Sequence, residues 1–213
     1  MALAGFLQPL QPLATAPVNA APAAGAAPTL AAVALTDFIV TPQEQAEWCW
    51  AAVSSSVGNF YGQASWTQCA VASAELTPLN CCGDAAAGDC NKPWRLDTAL
   101  RSVGHFDRMT SASLAFDAVQ AEINARRPVG CRIAWAGGGA HFVALGGWLI
   151  AGNGTQYVDV RDSFYGPTRK RFVDLVSAYK SPGDEWSHSY FTTDRAIAVA
   201  AAPSPDSDSP ISA

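Results

Sequence analysis

The stretch QEQAEWCWAA places Gln43 six residues before Cys49, sets Trp50 directly after the cysteine and leads into an Ala/Ser-rich run. From Trp50 to Ser56 there is neither Pro nor Gly, so a helix is predicted to start at or just before Cys49 and to stop at Gly58 and Asn59. A thiol in the first turn of a helix faces unpaired backbone N–H groups and the positive end of the helix dipole, and both favour thiolate over thiol. Such a sulfur is a nucleophile at neutral pH. Its attack on a carbonyl creates an oxyanion, for which the N–H of Cys49 and the side-chain amide of Gln43 would be the donors. The plain alternative is a buried cysteine acting as a small apolar residue.

A thiolate of this kind needs a base, and the chain has three histidines. His141 stands in AWAGGGAHFVALGGWLI, after three glycines and at the head of an apolar run that reads as a buried strand. Glycines there allow a tight turn and the close approach of a substrate chain, since no Cβ obstructs either. His105 follows Gly104 past the end of a helical stretch, and His188 lies in the polar segment DEWSHSY; both read as solvent-exposed or capping. His141 is therefore the candidate base. In QYVDVRDSFYG, counting by twos puts Val158, Val160 and Asp162 on one strand face, with Asp159 and Arg161 on the other. An inward carboxylate is costly without a partner, and a histidine on the neighbouring hairpin strand is a natural one. Read alone, Asp162 could instead cap the turn before Ser163 and Gly166.

The elements that must carry these groups fall into two halves. The first, about residues 37–104, reads as mostly helical: the Cys49 helix, a segment around 67–75 and another over 94–103 that ends at Gly104. The second, about 105–195, opens with a helix over 114–126 that Pro128 ends. Strands at 129–136, 141–150, 156–162 and about 189–193 are expected to form an antiparallel sheet curling into a small barrel, with turns at Gly137 to Gly139 and Gly152 to Gly154. The fold class is thus α+β. Cys49 on a helix of one half would face His141 on a strand of the other across a cleft, where substrates commonly bind. The cleft is expected to be lined by Trp48 and Trp50 on one side and by Gly138, Gly139 and Ala140 on the other.

The order Gln43, Cys49-Trp50, His141, then Asp162-Ser163-Phe164, resembles the papain-like cysteine proteases, whose glutamine also lies six positions before the cysteine. More narrowly, WCWAA with a later CCG segment and a GGGAHFVAL strand is similar to the small bacterial papain-like proteases, a group with secreted enzymes and effector proteases of plant pathogens. The resemblance spans about Thr36 to Thr193. It departs from the family pattern in lacking Cys-Gly-Ser ahead of the nucleophile and in carrying Asp where the family has Asn. It implies a helical N-terminal lobe packed on a barrel-like C-terminal lobe, and an endopeptidase using Cys49, His141, Asp162 and Gln43 through a thioester, with no cofactor and no metal. The same triad also suits a peptidoglycan amidase, a transglutaminase or a leader-processing peptidase. A secreted binding module that keeps the fold without the activity is the non-enzymatic alternative.

Composition fits one enzyme-sized unit: 213 residues, 49% hydrophobic, with seven tryptophans. A net charge of −5 without a basic stripe gives no case for nucleic acid or an anionic membrane, and Arg169, Lys170 and Arg171 read as a solvated strand edge. The stretch from Val129 to Gly152 is long enough to span a bilayer, yet Arg132, His141 and seven glycines suit two strands and a turn better. A monomer acting on protein or peptide is expected. Residues 1–35 are Ala/Pro-rich without any charged side chain, and 201–213 are Pro/Ser/Asp-rich; both read as disordered tails around a domain at 36–200. The N-terminal tail lacks the basic start of an ordinary signal peptide.

Four further cysteines, Cys69, Cys81, Cys82 and Cys90, lie within 22 positions. Neighbouring Cys81 and Cys82 cannot easily bond each other, which leaves 69–81 with 82–90 or 69–82 with 81–90. The short loop GDAAAGD between Cys81 and Cys90 favours the second. Two bridges would staple a stretch poor in apolar residues and imply export to an oxidising compartment. A zinc site of four thiolates is the rival, though no paired C-x-x-C supports it. Cys131, on a strand, reads as a buried free thiol.

Overall fold

The computed structural model describes residues 31–62, 65–83 and 86–194, so most of the first predicted tail and all of the second lie outside the described residues. In chain order the elements are β1 (Ala31–Ala34), α1 (Cys49–Phe60), α2 (Gln68–Glu75), α3 (Leu96–Ser102), β2 (Phe106–Thr110), α4 (Phe116–Asn124), β3 (Val129–Ala134), β4 (Ala140–Ile150), β5 (Gln156–Arg161), β6 (Thr168–Arg171), α5 (Phe172–Ser177) and β7 (Glu185–Thr192). All strand pairs are antiparallel, in the order β2-β7-β3-β4-β5-β6. This is a mixed α+β fold, but the sheet is open. β2 and β6 form its two ends, so the expected barrel does not close.

The N-terminal tail also ends earlier than its composition suggests. Ala31 to Ala34 pair with Ile150 to Gly147, beyond the stretch of β4 that β3 occupies. Their side chains carry little apolar signal, and the strand is held by backbone hydrogen bonds to an otherwise open edge.

α1 is the central helix. Every residue from Trp50 to Gly58 is buried, which an amphipathic surface helix would not show. Small side chains allow it to pack on α2 and α3 and on β4. Its serines fit because their hydroxyls find backbone partners: Ser54 Oγ donates to the Trp50 carbonyl at 2.8 Å, and Ser56 Oγ accepts from the Thr41 N–H at 3.4 Å. Gly58 does not stop the helix. A Cβ there would lie 2.5 Å from Trp66 Cδ1, so the glycine permits a close approach, and the helix runs on to Phe60.

α3 and α4 are shorter than predicted by a few residues, whereas α2 matches the segment expected around 67–75. Thr67 caps α2, its hydroxyl accepting from the Ala70 N–H. α4 ends at Asn124 because Arg126 adopts a φ of 57°, which reverses the chain ahead of Pro128. β2 has no sequence signal: only Phe106 is buried and the next three residues are exposed, as befits an edge strand. β6 is the solvated edge expected of Arg169 to Arg171, with Arg169 paired to Asp159 and Arg171 to Asp174. Asp159 is thus buried against the guanidinium of Arg169.

Two disulfides, Cys69–Cys82 and Cys81–Cys90, realise the favoured pairing and leave those sulfurs unavailable to zinc. Cys131 is free and fully buried, and burial pushes its thiol pKa well up. Among the described residues no helix is long and apolar enough to cross a membrane.

Candidate active site

Cys49 opens α1, preceded by Trp48, whose side chain provides no cap, and no acidic residue stands in the first turn. The positive helix end is therefore left for whatever approaches the cysteine. The thiol is half-buried, and its interaction with the His141 imidazole is one of the causes that raise the pKa of that ring. His141, the second residue of β4, sits opposite Ile133 of β3 across the hairpin. That hairpin turns through Gly138 and Gly139, with φ of 92° and 84°, angles that a side chain would oppose.

The second imidazole nitrogen is held by the carboxylate. His141 Nε2 bonds Asp162 Oδ1 at 2.9 Å, which leaves Nδ1 for the sulfur. Asp162, just past the end of β5, has a fully buried side chain, and four donors satisfy it. Besides the imidazole, Oδ1 accepts the Phe164 N–H at 2.8 Å and the Tyr165 N–H at 3.0 Å, while Oδ2 accepts the Tyr179 hydroxyl at 2.5 Å. The turn-capping and imidazole-partner readings of Asp162 are both realised by the same oxygen.

Burial alone would lower the His141 pKa, but the hydrogen bonds and charges of Asp162 and Cys49 outweigh it and raise it from 6.5 to about 9. For Asp162, burial raises the pKa, yet the bonds and charge of His141, with Tyr179 and the Tyr165 N–H, bring it down to about 2. Trp135 stacks on the imidazole with ring centroids 5.9 Å apart and planes 12° from parallel. Phe164 and Tyr165 meet it edge-on. Trp135, Tyr165 and Tyr179 carry no sequence signal for this position, although Tyr165 adjoins the Asp-Ser-Phe motif.

Gln43 is tied to the same corner. Its backbone N–H donates to the Ser163 carbonyl at 3.0 Å, and its amide oxygen accepts from Ser163 Oγ at 3.0 Å. Its amide nitrogen, however, donates to the carbonyls of Gln45 at 3.0 Å and Ala46 at 2.6 Å, so both N–H groups are engaged within the turn.

The cleft differs from expectation at two positions. A cavity of about 250 Å³ beside Cys49 is lined by Glu47, Trp50, Trp94, Arg132, Gly139, Ala140 and Phe142 among others. Trp48 is not part of it: the indole is fully buried beneath the helix start and donates to the Cys90 carbonyl at 2.8 Å. Gly138 lies in the exposed turn and shapes the hairpin without lining the cavity. Of the other histidines, His188 is half-buried, whereas His105 is fully buried, bonded through Nδ1 to the Thr193 carbonyl and stacked on Tyr61. The exposed reading of His105 fails because β2 and β7 pair around it.

A cysteine at the start of a buried helix, facing a histidine on a sheet of the other half, is the arrangement of the papain-like cysteine proteases. Residues 33–180 match the family described as papain-like cysteine protease AvrRpt2, and the chain belongs to that family. Among solved structures it is similar to the Amb a 11 cysteine protease, a major ragweed pollen allergen, in its proform, with 15% identity and a TM-score of 0.46. The similarity covers 76% of this chain and 64% of that one. Comparison with curated proteins finds no match.

Proposed function

We propose that the protein is an endopeptidase that cleaves peptide bonds by acyl transfer to Cys49. The observation that carries this reading is the imidazole of His141, hydrogen-bonded to the buried Asp162 carboxylate and raised in pKa by Asp162 and Cys49 together. In this proposal Cys49 and His141 work as a thiolate–imidazolium pair. The sulfur attacks the peptide carbonyl, and the Cys49 N–H and the Gln43 amide hold the oxyanion. Gln43 joins by exchanging one of its bonds to the Gln45 or Ala46 carbonyl for the substrate oxygen. His141 then protonates the leaving amine, and afterwards takes a proton from the water that hydrolyses the thioester. Asp162, with its oxygens filled by Tyr179 and two backbone N–H groups, orients the ring and favours its charged form.

The substrate class is protein or peptide. The two disulfides support action outside the reducing cytosol. The experiment is digestion of casein by the wild type and by Cys49→Ala, with an epoxysuccinyl probe and mass mapping of the adduct. Cleavage that is lost in Cys49→Ala, and an adduct on Cys49 alone, are expected. An alanine variant as active as the wild type would overturn the assignment. Parallel reactions with cell-wall peptides and with amine acceptors separate hydrolysis of proteins from the other uses of a thioester.

A further inference from the structure

Resting on that reading, we infer that the cleft selects a substrate with an acidic side chain, whose carboxylate docks on Arg132 at the end of the cavity away from Cys49. Arg132 lies on β3 between His188 of β7 and Phe142 of β4, in one cross-strand row. It lines the cavity that contains Cys49, and it also lines an adjoining cavity of about 380 Å³ whose walls include Trp94, Met109, Phe142 and Tyr190. One side chain therefore connects the reacting sulfur to a second pocket.

Among the described residues, no carboxylate forms an ion pair with Arg132. Arg95, Arg108, Arg126, Arg127, Arg169 and Arg171 each pair with a carboxylate. Arg161 donates to the Phe38 carbonyl, and Arg101 lies over the Phe106 ring. Among the described residues, the guanidinium of Arg132 makes one side-chain hydrogen bond, from Nη1 to Ser187 Oγ at 3.0 Å. A guanidinium has five N–H donors in a planar fork, so most of them remain for a ligand. The half-buried setting strengthens the attraction for an anion. Its surroundings reinforce this: Asp97 in the second cavity is engaged bidentately by Arg95, and His188 is held towards its neutral form by burial and by Arg132 itself. Glu47 is exposed at the Cys49 end, so the docked carboxylate is expected at the far end. The apolar surfaces of Phe142 and Trp94 suit the methylenes that carry it, and Trp94 is fixed by its indole N–H bond to Glu75 at 2.7 Å.

The test uses the full chain and pairs of fluorogenic peptides that differ only by Glu or Gln, scanned through the positions flanking the scissile bond. At one position the wild type is expected to prefer Glu by about 10- to 100-fold in kcat/KM, the range for a charge-assisted hydrogen bond in a partly closed site. In Arg132→Gln that ratio falls to about one, and in Arg132→Glu a Lys peptide overtakes the Glu peptide. Should Arg132→Gln not fold, Arg132→Lys decides, since loss of the fork must shrink the preference. Cleavage with no acid preference at any position overturns the inference and leaves the protease reading intact, as does a preference unchanged in the Arg132 variants. A wild type that neither cleaves peptides nor takes the epoxysuccinyl probe removes both.

Discussion

His141 has two nitrogens and two partners, and its charge state follows from both. With a pKa near 9 it is imidazolium across neutral pH, so kcat/KM is expected to fall as the pH rises through about 9. Asp162→Asn removes the carboxylate charge that helps hold that value up. The alkaline limb should then move down towards 6.5, with a loss of rate on the order of 100-fold or more. A pH–rate profile of the two proteins, measured with one peptide, checks this; an unmoved alkaline limb would mean that Asp162 does not set the imidazole charge. Gln43 gives a separate residue-scale prediction. Gln43→Glu keeps the length of the side chain but presents a carboxylate to the oxyanion, so kcat should drop by about 100- to 1,000-fold with the fold retained. A variant with unchanged kcat would assign Gln43 to the Ser163 contact alone.

At the scale of elements, α1 carries the proposed nucleophile and depends on close packing rather than on helix propensity. Gly58→Ala improves propensity by about 1 kcal/mol, yet its Cβ would lie 2.5 Å from the Trp66 ring and 3.2 Å from Val103 Cβ. Overpacking should win, with a net loss of about 1–3 kcal/mol in urea unfolding. A stabilised variant would show that Trp66 moves freely. The disulfides act on the segment that covers the start of α1, since Trp48 bonds to the Cys90 carbonyl. Replacing Cys81 and Cys90 together by Ser should cost about 2–4 kcal/mol, read as a lower Tm that a reductant no longer alters as strongly as in the wild type. Element types were legible where pattern and punctuation agreed, as in the GGG turn before His141 or the helical segment around 67–75, found at Gln68–Glu75. β1 and β2 were not legible. Both are held by backbone pairing to neighbours far along the chain, which leaves no mark on their own side chains.

For the whole molecule, the site links stability to pH. The folded-state pKa of His141, about 9, exceeds its ordinary 6.5, so its contribution is complete below pH 6.5 and is lost as the pH rises through 9. Asp162, at about 2 instead of 3.8, contributes fully above pH 3.8 and loses that contribution as the pH falls through 2. The two shifts share one interaction and are not summed. Urea midpoints are expected to be highest between these limits, and the alkaline decline should flatten in Asp162→Asn. A decline of equal size in the variant would place its origin elsewhere. The hydrophobic core is continuous from Trp48 and Val53 through Leu96 to Val143, so the two halves are expected to unfold together.

The candidate chemistry was legible in relations between near neighbours along the chain. Spacing set Gln43 and Cys49 at one helix start, the glycines set a turn before His141, and period-two counting turned Asp162 inward, because such relations depend on neighbours within a few residues. Which of these groups meet came from long-range packing. It buried Trp48 under the site, filled Asp162 with the Tyr179 hydroxyl, laid Trp135 on the imidazole and, among the described residues, left Arg132 without an ion-paired carboxylate. Each of those contacts joins residues whose separation along the chain is bridged by sheet register and by the packing of one half on the other, and neither is encoded in any local stretch.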